Sequence, residues 1–367
     1  MPLLMLALLA LAAPGADRAL YDRLCERTAA AYDSARGGFV QDGVPSEAAV
    51  ELGLLRGREP GVSEWSKRSL TTIAWTRGLR DTVGGGFLHG ASDDPRGSWP
   101  LKRADSNSRR LENLLLAWRV TSESSYRVEA ARVADYMDRV LLDGRGGFLA
   151  EQTQADLVPD ANGYAIHAWL MWAAASLDLG KRDFALRSLD RVWETCWIPD
   201  VGLVRRDAFG EASPRAELLD QVEMGRAFLL AARLVGRDSD ATRARTLGDI
   251  VLGHFADPER GGFSAQWATT KTGKVKREKP LAVENARAAL FLCELSTLTG
   301  QARYRDGARG AWTSFTKRFP KSDLVAADWA IAVRAAIEPS LPSRPQWPKP
   351  AAPALARRSM TFHTGKR

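Results

Sequence analysis

Carboxylates are the residues of this chain best placed to do chemistry. Asp105, Asp160, Asp220, Glu223, Glu284 and Asp328 each stand at or near the beginning of a largely apolar helical stretch. Two carboxyls that converge on one small volume can divide the work of a general acid and a general base, and the same pairing cleaves a glycosidic bond. Asp220 and Glu223 are one helical turn apart and fall on one face. With Asp105 and His167 they form the candidate catalytic set. The competing reading of each carboxylate is structural: at a helix start it caps free N–H groups and meets the positive end of the dipole.

His167 is the one histidine that falls inside a strongly apolar helix. Facing a cavity, an imidazole there moves protons near neutral pH, including at a carbon beside a carbonyl. A hydrogen-bonded core histidine is the alternative. His89 follows a triple glycine at the same end as the carboxylates, His254 reads as an outer-helix end, and His363 lies near the C-terminus. Neither the histidines nor Cys25, Cys196 and Cys293 show metal-ligand spacing, and each cysteine sits in an apolar helical context that suits a small buried side chain. No metal and no cofactor are expected. Among the 12 tryptophans, Trp99 and Trp267 sit in polar loops and are the candidates to stack on an apolar ligand face, whereas aromatics at helical spacing are usually core. His89, Glu284, Asn285 and Asp328 complete the candidate binding set. The stretch from Trp267 to Lys279 reads as a basic loop.

The elements that must position these residues come as repeats. A Gly-Gly-Phe unit recurs at Gly37-Gly38-Phe39, Gly85-Gly86-Phe87, Gly146-Gly147-Phe148 and Gly261-Gly262-Phe263, with a weaker copy at Val201-Gly202-Leu203. The intervals suit two helices of four to five turns plus loops. Paired glycines let the chain turn at positive φ, and the large side chain that follows pins the turn to the core. Between these units one set of segments carries a single apolar stripe, as in Ala130, Val133, Ala134, Met137 and Leu141, and reads as outer helices. The other set is apolar nearly all round, as in Leu111, Leu114, Leu115, Leu116 and Trp118, and reads as inner helices. Outer helices are expected near 18–33, 62–82, 124–142, 180–196, 238–256 and 301–318. Inner helices are expected near 45–57, 105–122, 160–178, 216–235, 280–299 and 323–338, the last capped by Ser322 or Asp323. Alternating helices without obvious polar capping repeats favour a closed ring over an open superhelix. The expected fold is all-α, an (α/α)6 toroid of six helical hairpins.

These residues also carry a resemblance. Arg36 to Val40, Thr76 to His89 (TRGLRDTVGGGFLH), Trp99, Leu111 to Leu116, Arg145 to Ala150, Leu218 to Ala231 and Leu281 to Gly300 occur in the order found in the helical region of the YyaL-type, thioredoxin-domain-containing, spermatogenesis-associated family. The chain resembles that family over roughly residues 20–320. The resemblance implies a six-hairpin toroid related in fold to N-acylglucosamine 2-epimerases and six-hairpin glycosidases, and with it a carbohydrate ligand that the ring binds or processes in a central cavity. There are departures. The family's thioredoxin-like domain precedes its ring, whereas a signal-like segment precedes Asp17 here, and no Cys-x-x-Cys occurs. The family's His-Phe-Glu-Lys-like cluster is replaced by Ala104-Asp105-Ser106-Asn107-Ser108-Arg109, with Glu112 and Asn113 resembling the Asp-Asn pair that follows. The loss of that cluster keeps open a non-catalytic ring that binds a protein partner.

Charge and the chain ends bound the function further. The net charge is +8, and six of those charges (Arg344, Lys349, Arg357, Arg358, Lys366, Arg367) lie beyond Pro339 with no acid among them. The ring itself is therefore close to neutral, and with no recognised motif nucleic-acid binding is not expected. The same segment, residues 339–367, is rich in proline and reads as a disordered basic tail, either solvated or in contact with an anionic envelope surface. Leu3 to Ala13 is an apolar run followed by small residues, which reads as a signal peptide over residues 1–16 and an exported, periplasmic or secreted, protein. The ring is assigned to residues 17–338. Nothing in the sequence sets the oligomeric state.

Overall fold

The computed structural model describes residues 14–91, 101–213, 215–269, 275–315, 323–339 and 345–347. Trp99, Ser322 and the apolar run Leu3 to Ala13 lie outside them. Among the described residues there are twelve α-helices, and every predicted helix is present. The outer helices are α1 (Pro14–Ala30), α3 (Glu64–Thr76), α5 (Ser124–Tyr136), α7 (Leu179–Cys196), α9 (Asp238–Ile250) and α11 (Ala302–Phe315). The inner ones are α2 (Glu47–Arg56), α4 (Ala104–Thr121), α6 (Pro159–Ser176), α8 (Leu218–Leu234), α10 (Ala282–Thr299) and α12 (Val325–Ile337).

Burial follows the apolar pattern. On α10 Ala286, Leu290, Phe291, Leu292, Cys293 and Leu295 are all buried, which covers the helix on every side, whereas α11 buries the stripe Tyr304, Ala308, Ala311, Trp312 and Phe315 and leaves its other face to solvent. Each of the first five inner helices packs against the outer helix that follows it, and neighbouring inner helices touch all the way round, α12 meeting α2. The sixth hairpin joins the two ends of the chain, because α12 has α1 as its outer partner. Arg309 on α11 donates to Asp17 on α1 at 2.8 Å across this seam. The ring is closed, and all three cysteines are free and buried as expected.

The glycine units are one device used repeatedly. Before each Gly-Gly-Phe an aspartate turns the chain: Asp81 Oδ1 accepts from the Val83 and Gly84 N–H groups, and Asp257 Oδ1 accepts from those of Glu259 and Arg260. Gly262 has φ +75°, and a Cβ there would lie 2.6 Å from Asn285 Oδ1, so both its conformation and the space require glycine. The aromatic residue then enters the core, with Phe39, Phe87, Phe148 and Phe263 all buried.

Short strands decorate the same end. β1 (Val40–Gln41) pairs with β2 (Val44–Pro45), β3 (Trp197–Ile198) with β4 (Gly202–Leu203), and β5 (Ala216–Glu217), β6 (Gln266–Thr269) and β7 (Val275–Arg277) make a three-stranded antiparallel sheet. The described flanks of the basic stretch from Trp267 are thus paired strands rather than loop, because β6 finds a ladder on β5 that local sequence does not reveal, while residues 270–274 lie outside the described residues. Within the expected tail, Trp347 Nε1 donates to the Leu234 carbonyl at 3.0 Å, and Arg182 lies over its ring. One of the free carbonyls at the end of α8 is satisfied in this way.

Candidate functional site

All six inner helices begin at one face of the ring, so the groups on their first turns converge there. Arg103, Asp105, Glu151, Asp160, Tyr164 and Arg205 line a cleft of about 220 Å³ at this mouth. That is below the roughly 300–1,000 Å³ of a drug-sized pocket and suits one small ring. Asp105 is held by Arg103 (2.7 Å). Asp160 and Asp220 share one guanidinium: Arg205 Nη2 donates to Asp160 at 3.1 Å and Arg205 Nε to Asp220 Oδ2 at 3.2 Å. Asp220 also accepts from the backbone N–H of Asp160 at 3.0 Å, so a side chain of α8 caps the start of α6. Burial, then the charge of Asp160, pushes the Asp220 carboxyl well up, with Arg205 opposing.

Glu284 stands at the start of α10 beside this group. Its Oε2 is buried without a hydrogen-bond partner among the described residues. Burial, then the charges of Glu217 and Asp160, lifts its carboxyl to about 7, against the pull of Arg205. A carboxyl of that strength is populated in both its protonated and ionised forms near neutral pH, so it can give a proton and take one back.

Below the mouth the inner helices present polar residues at intervals of three or four, roughly 5–6 Å per step. At the middle level Arg287 on α10 grips Glu223 on α8 with two bonds of 2.7 Å. Burial opposes ionisation of Glu223, but the charge and hydrogen bonds of Arg287 outweigh it and hold the carboxyl at about 2. Arg109 on α4 reaches past α2 toward Asp328 on α12, with Glu51 of α2 also beside it. Residues of non-adjacent inner helices thus meet across the ring. Lower still, His167 Nδ1 and Glu112 are 2.6 Å apart, and Arg226 bonds Glu294 at 3.2 Å. There the histidine's charge and hydrogen bond overcome burial and keep the Glu112 carboxyl below its usual range.

The structure divides the sequence-derived candidates. Asp105 and Asp220 lie at the mouth with Asp160 and Glu284. Glu223 and His167 lie deeper, and despite their shared face Asp220 turns to α6 and Glu223 to α10. His89 lies near the mouth, its Nδ1 2.7 Å from Ser106 Oγ, and partial desolvation of its ring lowers its pKa. Two expected binding residues have internal partners. Trp267 stacks on His254, with ring centroids 4.5 Å apart. Asn285 clamps the Phe263 backbone. Both find these partners through the fold, since His254 and Phe263 come from earlier in the chain. The residues missed were Arg109, Tyr164, Arg205, Arg226, Arg287, Glu51 and Glu294. Most of them had a signal, a polar side chain recurring every three or four positions on an otherwise apolar helix.

No protein-family profile matches this chain, and no curated protein matches its sequence, so the YyaL-type resemblance gains no support. Solved structures do match it in fold. A D-mannose isomerase superposes with a TM-score of 0.73 at 12% identity, over 89% of this chain and 98% of that one. A cellobiose 2-epimerase from Bacillus thermoamylovorans gives 0.73 at 10% identity, over 89% and 100%. A family 76 glycoside hydrolase, an α-mannanase of Bacteroides thetaiotaomicron, gives 0.69 at 14% identity, over 89% and 98%. At such identities the likeness shows architecture, and that architecture is the (α/α)6 toroid these proteins share.

Proposed function

We propose that this ring binds a carbohydrate at the mouth formed by its inner-helix starts and processes it by general acid–base catalysis. Glu284 serves as the proton carrier, and Asp160, held with Asp220 by Arg205, is the facing carboxylate. The observation that carries this reading is the Glu284 carboxyl, whose buried Oε2 lacks a partner among the described residues and whose pKa lies near 7 beside a cleft of one-ring size. Glycoside cleavage uses two carboxyls, one of which carries the proton; burial pushes the Asp160 carboxyl up as well, with Arg205 opposing. Three toroids of this architecture bear the names of a mannose isomerase, a cellobiose epimerase and a mannanase, which supports a sugar as the ligand.

A second reading, sugar isomerisation or epimerisation, is favoured by the His167–Glu112 pair at 2.6 Å, a base oriented by a carboxylate. The test is a screen of mannosides, glucosides and free aldoses followed by NMR, with Glu284→Gln and His167→Asn compared with wild type. Loss of hydrolysis by at least about 100-fold in Glu284→Gln supports the first reading. Interconversion of free sugars that depends on His167 and not on Glu284 supports the second. Saccharide binding with no turnover would leave a non-catalytic binding ring, and binding of neither would return the chain to the protein-partner reading. Export, resting on the run Leu3 to Ala13, and contact of the basic C-terminal segment with an anionic envelope belong to the same proposal.

A further inference from the structure

The middle level of the lumen holds groups whose hydrogen-bonding capacity the protein leaves unused. Arg109 Nη1 is 3.7 Å from Asp328 Oδ1, and Arg109 Nη2 is 3.8 Å from Glu51 Oε2, both too long for hydrogen bonds. Among the described residues Arg109 Nη2 and Asp328 Oδ1 have no other partner, although the Asp328 side chain is only 8% exposed. A buried donor and a buried acceptor left unmade side by side are costly, and native proteins resolve nearly all such cases with protein, water or ligand.

The level is reachable. Arg109 and Glu51 keep 16% and 26% of their side chains accessible although inner helices surround them, so that surface lies inside the ring. Tyr164 connects it to the cleft, since it lines the cleft and the Arg287 guanidinium lies over its ring, 5.1 Å from the centroid.

Charge narrows the ligand. Arg287 is taken up by its two hydrogen bonds to Glu223, so Arg109 is the guanidinium nearest to Glu51 and Asp328, with Arg287 in electrostatic reach of both. An anion meets two carboxyls here and a cation meets Arg109. A hydroxyl group satisfies both orphans, accepting from a guanidinium N–H and donating to a carboxylate oxygen.

We propose that Arg109, Asp328, Glu51 and Tyr164 form a second subsite, below the cleft, that takes the hydroxyls of an uncharged sugar ring. The inference rests on the carbohydrate reading above and deepens it by naming a neutral substrate class and the residues that select it.

The full chain is titrated calorimetrically with D-mannose, D-glucose, mannobiose and cellobiose, and with glucosamine, glucuronate and glucose 6-phosphate as charged counterparts. The expected result is that a neutral sugar binds and the charged ones bind at least about tenfold more weakly. Asp328→Asn and Arg109→Met each lose roughly tenfold or more in that affinity, the scale of one charge-assisted bond. Glu284→Gln keeps the affinity and loses turnover. Glu51→Gln, which keeps shape, supplies a second probe should Arg109→Met fail to fold, as judged by circular dichroism. Unchanged affinity in Asp328→Asn together with unchanged affinity in Arg109→Met or Glu51→Gln overturns the subsite, while loss of turnover in Glu284→Gln would leave the mouth reading standing. Tighter binding of a charged sugar overturns the neutral class. No binding of any sugar by wild type overturns both.

Discussion

Asn285 grips both backbone groups of Phe263: the Phe263 N–H donates to Asn285 Oδ1 at 2.6 Å, and Asn285 Nδ2 donates to the Phe263 carbonyl at 2.7 Å. The same clamp joins Asn107 to Phe87 and Asn162 to Phe148, and Gln221 makes it with Leu203. In each case the amide comes from the first turns of an inner helix and the gripped residue closes the preceding glycine turn. The clamp therefore ties the loop at the mouth to the helix whose start carries the candidate catalytic group, as with Asn285 next to Glu284.

Replacing Asn285 by alanine strands a buried N–H and a buried carbonyl, each at a cost of about 1–3 kcal/mol. A loss of roughly 2–4 kcal/mol in urea unfolding is expected, with the slope of the transition unchanged. A loss under about 0.5 kcal/mol would show that solvent takes over both groups. Because Glu284 is the neighbouring residue, turnover of any substrate found should fall as well.

The Glu223–Arg287 pair is structural in the same sense, and its prediction has two parts. Glu223→Leu leaves Arg287 buried without its hydrogen-bonded carboxylate, with only the more distant charges of Glu51, Glu112 and Asp328 in reach, and should cost on the order of 3–5 kcal/mol. The double variant Glu223→Leu with Arg287→Met removes both charges and should recover most of that loss. Equal instability of single and double variants would mean that packing rather than charge sets the cost.

Glu284 should make the protein less stable as pH rises. Its carboxyl titrates near 4.5 in the unfolded chain and about 7 in the fold, so between these values the folded state holds a proton that the unfolded state has released. More protons in the folded state mean that stability falls with increasing pH across that window and is level above it. Glu284→Gln removes the effect. Its melting temperature should match wild type near pH 4 and exceed it at pH 8 by a few degrees, on the order of 1–2 kcal/mol after discounting for the exposed part of the side chain. Identical pH profiles would contradict the raised pKa. A gain in stability with a loss of turnover is the trade expected of a catalytic group.

The sequence by itself determined the helices. Apolar residues every three or four positions, and glycines at the turns, are local signals set by backbone geometry, so the division into inner and outer helices and their limits could be read within a few residues. It also placed Asp105, Asp160, Asp220 and Glu284 at helix starts, because a helix start is itself a local feature. Tertiary structure decided which of those carboxyls is paired. Glu223 finds Arg287 at a sequence separation of 64 and Asp220 finds the N–H of Asp160 at 60, while Glu284 Oε2 finds no partner among the described residues. A pairing of that range depends on how neighbouring helices rotate and slide against each other, and the polar spacing on one helix carries no information about its neighbour. The same holds for closure, since α1 and α12 meet only because five hairpins have already turned the chain through most of a circle. Trp267 and Asn285 looked available in the sequence for the same reason: their partners, His254 and Phe263, come from the preceding turn of the chain and reach them only in the folded ring.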